Sequence, residues 1–433
     1  MGTIITKKYS HLAEKKGLDR AFHIALSFFP LLIDVAKSGK LREISSFAIW
    51  EIRHKMGLFS QNTYITFEEH APFILKEGDE ISSYDFTAAT KEDVFDITLT
   101  RNWKLFHKDS KNSIFGCLAN ENTVLYKSND NGKTLKKLHT FKWVIKAIFI
   151  SQEDVIFVDT KGEIYRSDDG GESFELSLEL SEEDSSIFHH YGMTQIPSGA
   201  LLVGEYGNVA KEGLWANIAY IYCSSDLGKT WERSDFLKKQ GVNKHVHMIK
   251  YSHLLDRLIL ADGDNKKQLW ISKPLENFKF SQNPWNLITK FHIQMGGYTS
   301  MVETDSKMIL GTDYLGGTNF LVETTDGKNF SKKVIPDPYR RSPVHDLIKR
   351  GNEIWSVLNN PNSKDAKCLL MVSKNGGESW KKVIEYDGTK HLIMINSGDL
   401  KPTQSITFAI TTMVEGGGER GVCYEIRDKS LSD

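Results

Sequence analysis

A short turn signature recurs along this chain, and it constrains the fold more than any other feature of the sequence. The best copies are YKSNDNGKTLKKL, YRSDDGGESFEL, YCSSDLGKTWER, LVETTDGKNFSKKV and MVSKNGGESWKKV, which begin at Tyr126, Tyr165, Tyr222, Leu321 and Met371. A degenerate sixth copy, LWISKPLENFKF, begins at Leu269. The spacing of about 40 to 57 residues is the period expected for the blades of a β-propeller.

The chemistry of the signature is that of a tight hairpin turn. An Asp or Asn can accept backbone N–H groups, a Gly can adopt positive φ, and the following aromatic residue can pack back on the hairpin. The signature resembles the Asp-box, or BNR repeat, S-x-D-x-G-x-T-W, which Tyr222–Arg233 matches in full. This resemblance implies a sialidase-superfamily-like propeller, in which such turns lie away from any active site. Asp168 and Asp226 are therefore expected to be structural.

The sequence predicts an all-β fold, a seven-bladed β-propeller with Asp-box turns, over residues 60–433. Beyond Ser60, short β-branched and aromatic runs alternate with Gly, Asn and Asp clusters. The last blade lacks the signature, and either NTYITFEE or VFDITLT could supply an outer strand that closes the ring. The predicted blades cover about 101–138, 142–177, 186–236, 244–283, 291–335, 343–384 and 391–428.

Residues 1–59 have the apolar spacing of helices and are predicted to form a short helical extension. The apolar run Ala21–Ala36 is shorter than the roughly 20 residues that a membrane span needs, and it has no small-x-small cleavage site. We expect these helices to pack outside the propeller, on a membrane surface or on a partner protein. A cytoplasmic or membrane-peripheral location follows from this interpretation.

The charge of the whole chain excludes some partner classes. The formal net charge is −1, so nothing predicts a nucleic-acid partner. A saccharide ligand remains compatible with this charge.

In a propeller, the first strand of each blade starts beside the axis, and the loop after the second strand returns to the same face. Side chains from these places should converge on one axial pocket. His245 and His247 stand at such a start and, as i and i+2 in a strand, should share a face. We expect three sets of site residues: catalytic His190, His247 and Tyr206; substrate-binding Glu205, Tyr298, Asp313, Tyr314, Arg340, Arg341 and Asn359; and metal-ligating His245, His247, Gln294 and His345.

This residue set resembles that of propeller-fold polysaccharide lyases, which implies β-elimination from a uronate-containing saccharide. A cation would neutralise the carboxylate, and a neutral His or Tyr would remove the adjacent proton. The His and Gln donors would suit one divalent metal, Mn²⁺, Zn²⁺ or Ca²⁺; no organic cofactor is expected.

Two alternatives stay open. A glycoside hydrolase could use Glu205, Asp262 and Asp313 as paired carboxylates across the axis. A non-catalytic propeller could bind glycan or protein on the same face. Sialidase activity, which needs three arginines and a Tyr–Glu pair, is disfavoured because no F/Y-R-I-P-type motif precedes Tyr126 and because the adjacent Glu205 and Tyr206 would point to opposite sides of a strand.

Overall fold

The structure is a computed structural model of the 433-residue chain. It divides into two compact units, Met1–Ser60 with Ala210–Leu214, and Gln61–Val209 with Trp215–Asp433. The residues it describes are 16–37, 41–58, 60, 63–75, 86–87, 95–111, 113–211, 214–263, 267–282, 284–288, 297–314, 317–359, 367–396, 405–414 and 418–428.

Two helices make up most of the first unit. Helix α1 spans Gly17–Lys37 and has Asp19 in its first turn, where a carboxylate complements the helix dipole. Helix α2 spans Leu41–Lys55 and has three basic residues in its last turn, where the dipole favours positive charge. The prediction of helices in this segment is confirmed for the described residues.

The second unit is a seven-bladed β-propeller, as predicted, and blades 1 to 4 follow each other along the chain. Most blades are four-stranded antiparallel sheets. The strands are Trp103–Lys108, Ile114–Leu118, Glu121–Ser128 and Lys136–Thr140 in blade 1; Ala147–Ile150, Ile156–Asp159, Glu163–Ser167 and Glu175–Glu179 in blade 2; Ser186–Ile187, Met193–Gln195, Leu201–Tyr206, Ile221–Ser224 and Glu232–Ser234 in blade 3; and Val246–Ser252, Arg257–Asp262, Leu269–Ser272 and Trp285–Leu287 in blade 4.

Blades 5 to 7 continue the ring. Their strands are Gly297–Glu303, Met308–Asp313, Phe320–Thr324 and Ser331–Val334 in blade 5; Val344–Arg350, Glu353–Leu358, Cys368–Ser373 and Ser379–Tyr386 in blade 6; and His391–Ile395, Ile406–Val414 and Gly418–Asp428 in blade 7. The connections add short helices at His189–Tyr191, Phe236–Lys239, Leu275–Asn277 and Phe280–Gln282, and a strand pair of Ala210–Lys211 with Leu214–Trp215.

The ring is closed by a strand from before the first blade. Phe95–Leu99, within the predicted VFDITLT segment, pairs antiparallel with Gly418–Asp428 as the outermost strand of blade 7. Closure hides the edges that an open sheet would expose to aggregation.

The other candidate for closure, NTYITFEE, lies elsewhere. Thr66–Phe67 and Phe73–Leu75 both pair parallel with Ser379–Tyr386, the outermost strand of blade 6, and Phe86–Thr87 pairs in turn with the second of these short strands. This segment therefore covers the outer edge of blade 6 instead of closing the ring.

The recurrent turns join the third and fourth strands of their blades. In the best copy, Ser224 Oγ accepts the Gly228 N–H at 2.8 Å and donates to Asp226 Oδ1 at 2.8 Å. Asp226 also accepts the backbone N–H and hydroxyl of Thr230 at 2.9 and 2.6 Å. These bonds hold the pKa of Asp226 at about 2. The carboxylate is thus committed to the turn.

The second copy corrects one residue assignment. Asp169, not Asp168, accepts the turn bonds from Ser173, whereas Asp168 forms an ion pair with Arg166. Both carboxylates have structural partners, as the sequence led us to expect.

The core is built from the faces between neighbouring blades. Phe157 and Ile164 of blade 2, for example, pack with Met193, Leu201 and Val203 of blade 3. Since each sheet buries both faces, the strands next to the innermost ones read as nearly continuous apolar runs, as in Ile114–Leu118 and Leu201–Tyr206. Polar side chains on those strands are consequently exceptional.

Candidate active site at the propeller axis

The inner strands of four blades carry a β-bulge at the same position. In blade 1, Trp103 pairs with Leu118 but Leu105 pairs with Cys117, so that Lys104 is an extra residue. A bulge interrupts the alternation of side chains and re-aims the inserted one. The residues inserted in blades 1, 4, 5 and 6 are Lys104, His247, Thr299 and His345.

The inner strand of blade 3 has a larger interruption. Ser186–Ile187 and Met193–Gln195 both pair with Leu201–Tyr206, and a 3₁₀ turn at His189–Tyr191 lies between them. His189 adopts a φ of 46°, an uncommon value for a residue with a Cβ. The insertion displaces three aromatic side chains from the strand.

One of these side chains crosses the axis. The Tyr191 hydroxyl donates to the Leu347 carbonyl at 3.1 Å and accepts the Leu347 N–H at 2.9 Å. Leu347 belongs to the inner strand of blade 6, which is not a neighbour of blade 3. Tyr191 is buried, and its ring centroid lies 4.1 Å from that of His190. The bridge therefore also helps to fix His190.

A cavity of about 450 Å³ opens beside this turn, between blades 7, 1 and 2 and the axis. This volume is within the range of small-molecule sites. Its polar lining residues are Asn102, Lys104, His107, Asn122, Lys146, His189, His190, Asp346, Asn396 and Thr411. Its apolar lining includes Leu105, Ile148, Leu392, Met394, Ile395 and Ala409.

Three polar atoms of this lining are buried without a hydrogen-bond partner among the described residues. They are Asn102 Oδ1, His190 Nε2 and Asn396 Oδ1. Buried polar groups in folded proteins are nearly always paired. Three unpaired groups around one cavity therefore indicate a place for a polar ligand.

Two lysines supply positive charge to the cavity. Lys104 Nζ donates to the Ile145 carbonyl at 3.0 Å, and Lys146 Nζ donates to the Asp184 and Ser185 carbonyls at 3.2 Å each. An ammonium group has three N–H donors. Both groups are thus held in place by backbone oxygens and retain donors for an anionic ligand.

The imidazoles of the cavity are neutral near pH 7. Burial lowers the pKa of His107 and His189 to about 4. Burial, with the nearby charges of Lys250, His189 and His107, lowers the pKa of His190 well below its usual value. A neutral imidazole with an available nitrogen can accept a proton.

Burial shifts the pKa of the carboxyl group that lines the cavity in the opposite direction. Burial raises the pKa of Asp346 to about 7, and the Ile395 N–H, 3.3 Å from Oδ2, offsets only part of this effect. Asp346 is therefore largely protonated in mildly acidic solution and can donate a proton. The cavity holds both a base and an acid.

The predicted catalytic residues fall into two places. His190 lines the cavity, whereas His247 and Tyr206 pack in an aromatic cluster with Phe188 and His245 and do not line it. The ring centroids of His245 and His247 are 4.9 Å apart, and His245 Nδ1–H donates to the Gly207 carbonyl at 2.7 Å. The cavity lining and the aromatic cluster interact electrostatically through His345. His345 lowers the pKa of His189 in the cavity lining, and His247 of the aromatic cluster lowers the pKa of His345.

Glycines make room for this aromatic cluster. A Cβ at Gly263 would lie 2.1 Å from Cδ2 of His245, and a Cβ at Gly297 would lie 2.6 Å from Nδ1 of His247. Real side chains do not approach this closely, so His245 and His247 fill the space that the two glycines leave.

Three of the predicted substrate-binding residues have structural partners instead. Glu205 is fully buried and accepts bonds from Ser181 and from the Tyr222 hydroxyl at 2.7 Å. Arg340 Nη1 donates to Thr318 Oγ1 at 2.7 Å. Asn359 Nδ2 donates to the Ile393 carbonyl at 3.0 Å and so ties blade 6 to blade 7.

The other predicted substrate-binding residues also lie outside the cavity lining. Tyr298 Oη and Asp313 Oδ1 are buried and have no hydrogen-bond partner within the described ranges. The Asp313 charge partly offsets the lowering of the His345 pKa by burial. The Tyr314 ring lies 4.7 Å from Lys267 Nζ, and Arg341 is half-buried.

The predicted metal set is not assembled in the part of the chain that the structure describes. Gln294 lies outside the described residues, and the described ones contain no group of three or more His, Cys, Asp or Glu side chains that could hold a metal. Among the predicted ligands, His245 Nδ1 is committed to Gly207. The metal site therefore stays a prediction.

Sequence reasoning missed the residues that blades 1, 2 and 7 contribute. The missed polar residues of these blades are Asn102, Lys104, His107, Asn122, Lys146, Asn396 and Thr411, and Asp346 of blade 6 was missed as well. A signal was present, because RNWKLFH and VIKAIF start the inner strands of blades 1 and 2 with a lysine in an apolar run.

The comparisons with known proteins identify the fold alone. No family model matches the chain, and no curated protein matches it. Among solved structures, a streptogramin B lyase is similar at 14% identity and a TM-score of 0.50, covering 77% of this chain and 97% of that one. A catalytically inactive virginiamycin B lyase from Staphylococcus aureus with quinupristin is similar at 14% identity and a TM-score of 0.51, covering 77% and 99%.

Proposed function

We propose that this protein is a lyase that cleaves a carboxylate-bearing substrate, a uronate-containing saccharide, by β-elimination in the axial cavity. The observation that carries the proposal is the composition of this one cavity. It combines a neutral imidazole with an available nitrogen, His190, two anchored ammonium groups, Lys104 and Lys146, and a carboxyl group of raised pKa, Asp346.

Each group has a role in the reaction. Lys104 and Lys146 neutralise the substrate carboxylate, which acidifies the proton on the adjacent carbon. His190 Nε2 takes that proton as general base. The electron pair forms a carbon–carbon double bond as the bond to the leaving oxygen breaks, and the Asp346 carboxyl donates a proton to that oxygen.

The same lining favours elimination over hydrolysis. A two-carboxylate glycosidase needs an acid and a second carboxylate facing the same bond. Asp346 is the one carboxyl group among the described residues of the cavity lining. Of the proposed hydrolytic carboxylates, Glu205 is bonded to Tyr222 and Asp262 to Trp270.

The size and walls of the cavity limit the substrate. A volume of about 450 Å³ is within the range of small-molecule sites, so the cavity has room for a short part of a saccharide only. The aliphatic side chains of Leu392, Met394 and Ile395 provide an apolar wall for the less polar part of the substrate. Two solved propellers named as lyases are compatible with elimination chemistry on this fold.

The proposal is tested by incubating the protein with uronate-containing oligosaccharides and following the ultraviolet absorbance of unsaturated products. The variant His190→Ala should lower kcat by about 10²-fold or more, as the loss of a general base does. His253→Ala, which removes an exposed histidine outside the cavity, is the matched control and should leave kcat unchanged.

The alternatives give different results in the same assay. Release of sugar without ultraviolet absorbance would indicate hydrolysis. Saturable binding without turnover, weakened by Lys104→Met, would indicate a non-catalytic propeller that binds a carboxylate-bearing ligand.

A further inference from the structure

Helix α1 exposes a continuous apolar stripe. Leu18, Phe22, Leu26, Phe29 and Ile33 follow each other at spacings of three or four residues, and their exposed fractions are 90, 62, 62, 73 and 54%. Side chains at this spacing lie on one face of a helix. At a rise of 1.5 Å per residue, the stripe is about 22 Å long. Soluble surfaces rarely leave so large an apolar area uncovered.

Helix α2 and the residues after it add to the exposed apolar surface. Ile49, Ile52 and Met56 recur at helical spacing and are 50, 54 and 65% exposed, and Leu58 is 56% exposed. Trp50 is half-buried, with the Arg53 guanidinium 5.4 Å from its ring centre. Tryptophan and arginine are side chains that favour the interface between lipid and water.

The charge of this segment differs from that of the rest of the chain. Residues 1–59 contain ten Lys and Arg but five Asp and Glu, whereas the whole chain has a formal net charge of −1. The extension is thus cationic, and the remaining residues are acidic. An anionic surface is therefore complementary in charge to the extension but not to the rest of the chain.

We infer that α1 and α2 bind an anionic lipid membrane, with the stripe of α1 buried among the acyl chains and the basic residues at the headgroups. This is the behaviour of an interfacial amphipathic helix. None of the described helices is long and apolar enough to cross a membrane. A second copy of this chain would bring the same positive segment against itself, and charge repulsion disfavours that pairing.

The test uses the full-length protein with vesicles of phosphatidylcholine, with or without phosphatidylglycerol. The protein should co-sediment with the anionic vesicles, and high salt should weaken the binding because it screens the lysines and arginines. The variant Phe29→Glu should weaken binding about tenfold or more, since it places a charge where the aromatic ring would be buried among the acyl chains.

Ser27→Glu is the matched control, because it adds the same charge two residues away and outside the apolar stripe. It should retain more of the binding than Phe29→Glu. Equal binding of Phe29→Glu and the wild-type protein would overturn the inference. It would also be overturned by a dimer in solution that Phe29→Glu dissociates, because the stripe would then bind a second copy.

Discussion

The Tyr191 hydroxyl is hydrogen-bonded to both the carbonyl and the N–H of Leu347, so that one side chain joins the third blade to the sixth across the propeller axis. Both backbone groups lie on the inner edge of a strand, where the ring provides no further strand to pair with them. Since Tyr191 follows His190 directly, the same bridge anchors the proposed base.

Tyr191→Phe should lower the free energy of unfolding by about 1–3 kcal/mol, because it leaves two backbone groups of Leu347 without their buried partner. Denaturant unfolding measures this loss. Tyr251→Phe is the control, since its hydroxyl bonds the exposed Asp256 side chain at 2.8 Å, and it should change stability far less. Equal effects of the two variants would contradict a stabilising bridge.

The pH dependence of the proposed reaction follows from two groups. His190, which faces His107, His189 and Lys250, has a pKa well below 6.5, and Asp346 has one of about 7. The base is active above the first pKa and the acid below the second, so kcat/KM should be highest in mildly acidic solution and fall above about pH 7. Asp346→Asn should lower the maximum and remove the alkaline limb. An unchanged alkaline limb in this variant would exclude Asp346 as the acid.

Asp346 should also make stability depend on pH. Its pKa is raised from 3.8 to about 7 in the folded state, so the unfolded chain loses the proton first as pH rises. The folded state is therefore destabilised progressively between about pH 4 and pH 7, and by a constant amount above that. Asp346→Asn should gain stability relative to the wild-type protein as pH rises from 5 to 7. Thermal melting at several pH values measures this difference, and a constant difference would contradict it.

Glu205→Gln should reduce stability and leave kcat unchanged. The carboxylate accepts from Ser181 and from the Tyr222 hydroxyl, and an amide nitrogen cannot accept the bond from tyrosine. We expect a loss of about 1–3 kcal/mol in denaturant unfolding. Glu183→Gln, on an exposed ion pair with Lys161, is the control and should cost less than about 1 kcal/mol. A large loss of kcat in Glu205→Gln would contradict this prediction and would indicate that Glu205 belongs to the active site.

The sequence predicted the fold well because the turns repeat. Each copy carries its own hydrogen-bonding residues, such as Ser224, Asp226 and Thr230, so local chemistry reports the blade period directly. A closing strand was also predictable, since an open ring leaves an edge unpaired, but the sequence left two candidates and the structure shows that Phe95–Leu99 is the one that pairs.

The site was harder to predict, because bulges decide which side chains reach the axis. A strict alternation treats His245 and His247 as equivalent, but the register shifts between Val246 and Met248. Neither this shift nor the insertion at His189–Tyr191 follows from residue types alone. The cavity also draws on blades 7, 1 and 2, whose polar lining residues are mostly Lys and Asn and include no histidine pair of the kind found in blades 3 and 4.

The closing strand has a consequence for the way the chain folds. Asp428 pairs with Phe95, so the last sheet forms only when two segments separated by more than three hundred residues meet. During synthesis, Phe95–Leu99 leaves the ribosome long before Gly418–Asp428. It remains an unpaired strand until that segment has been made. Contacts of such long sequence separation slow folding, and the waiting edge is an aggregation hazard. The pairing of these two strands also slows unfolding. If either strand frays locally, the strands of the remaining blades stay paired.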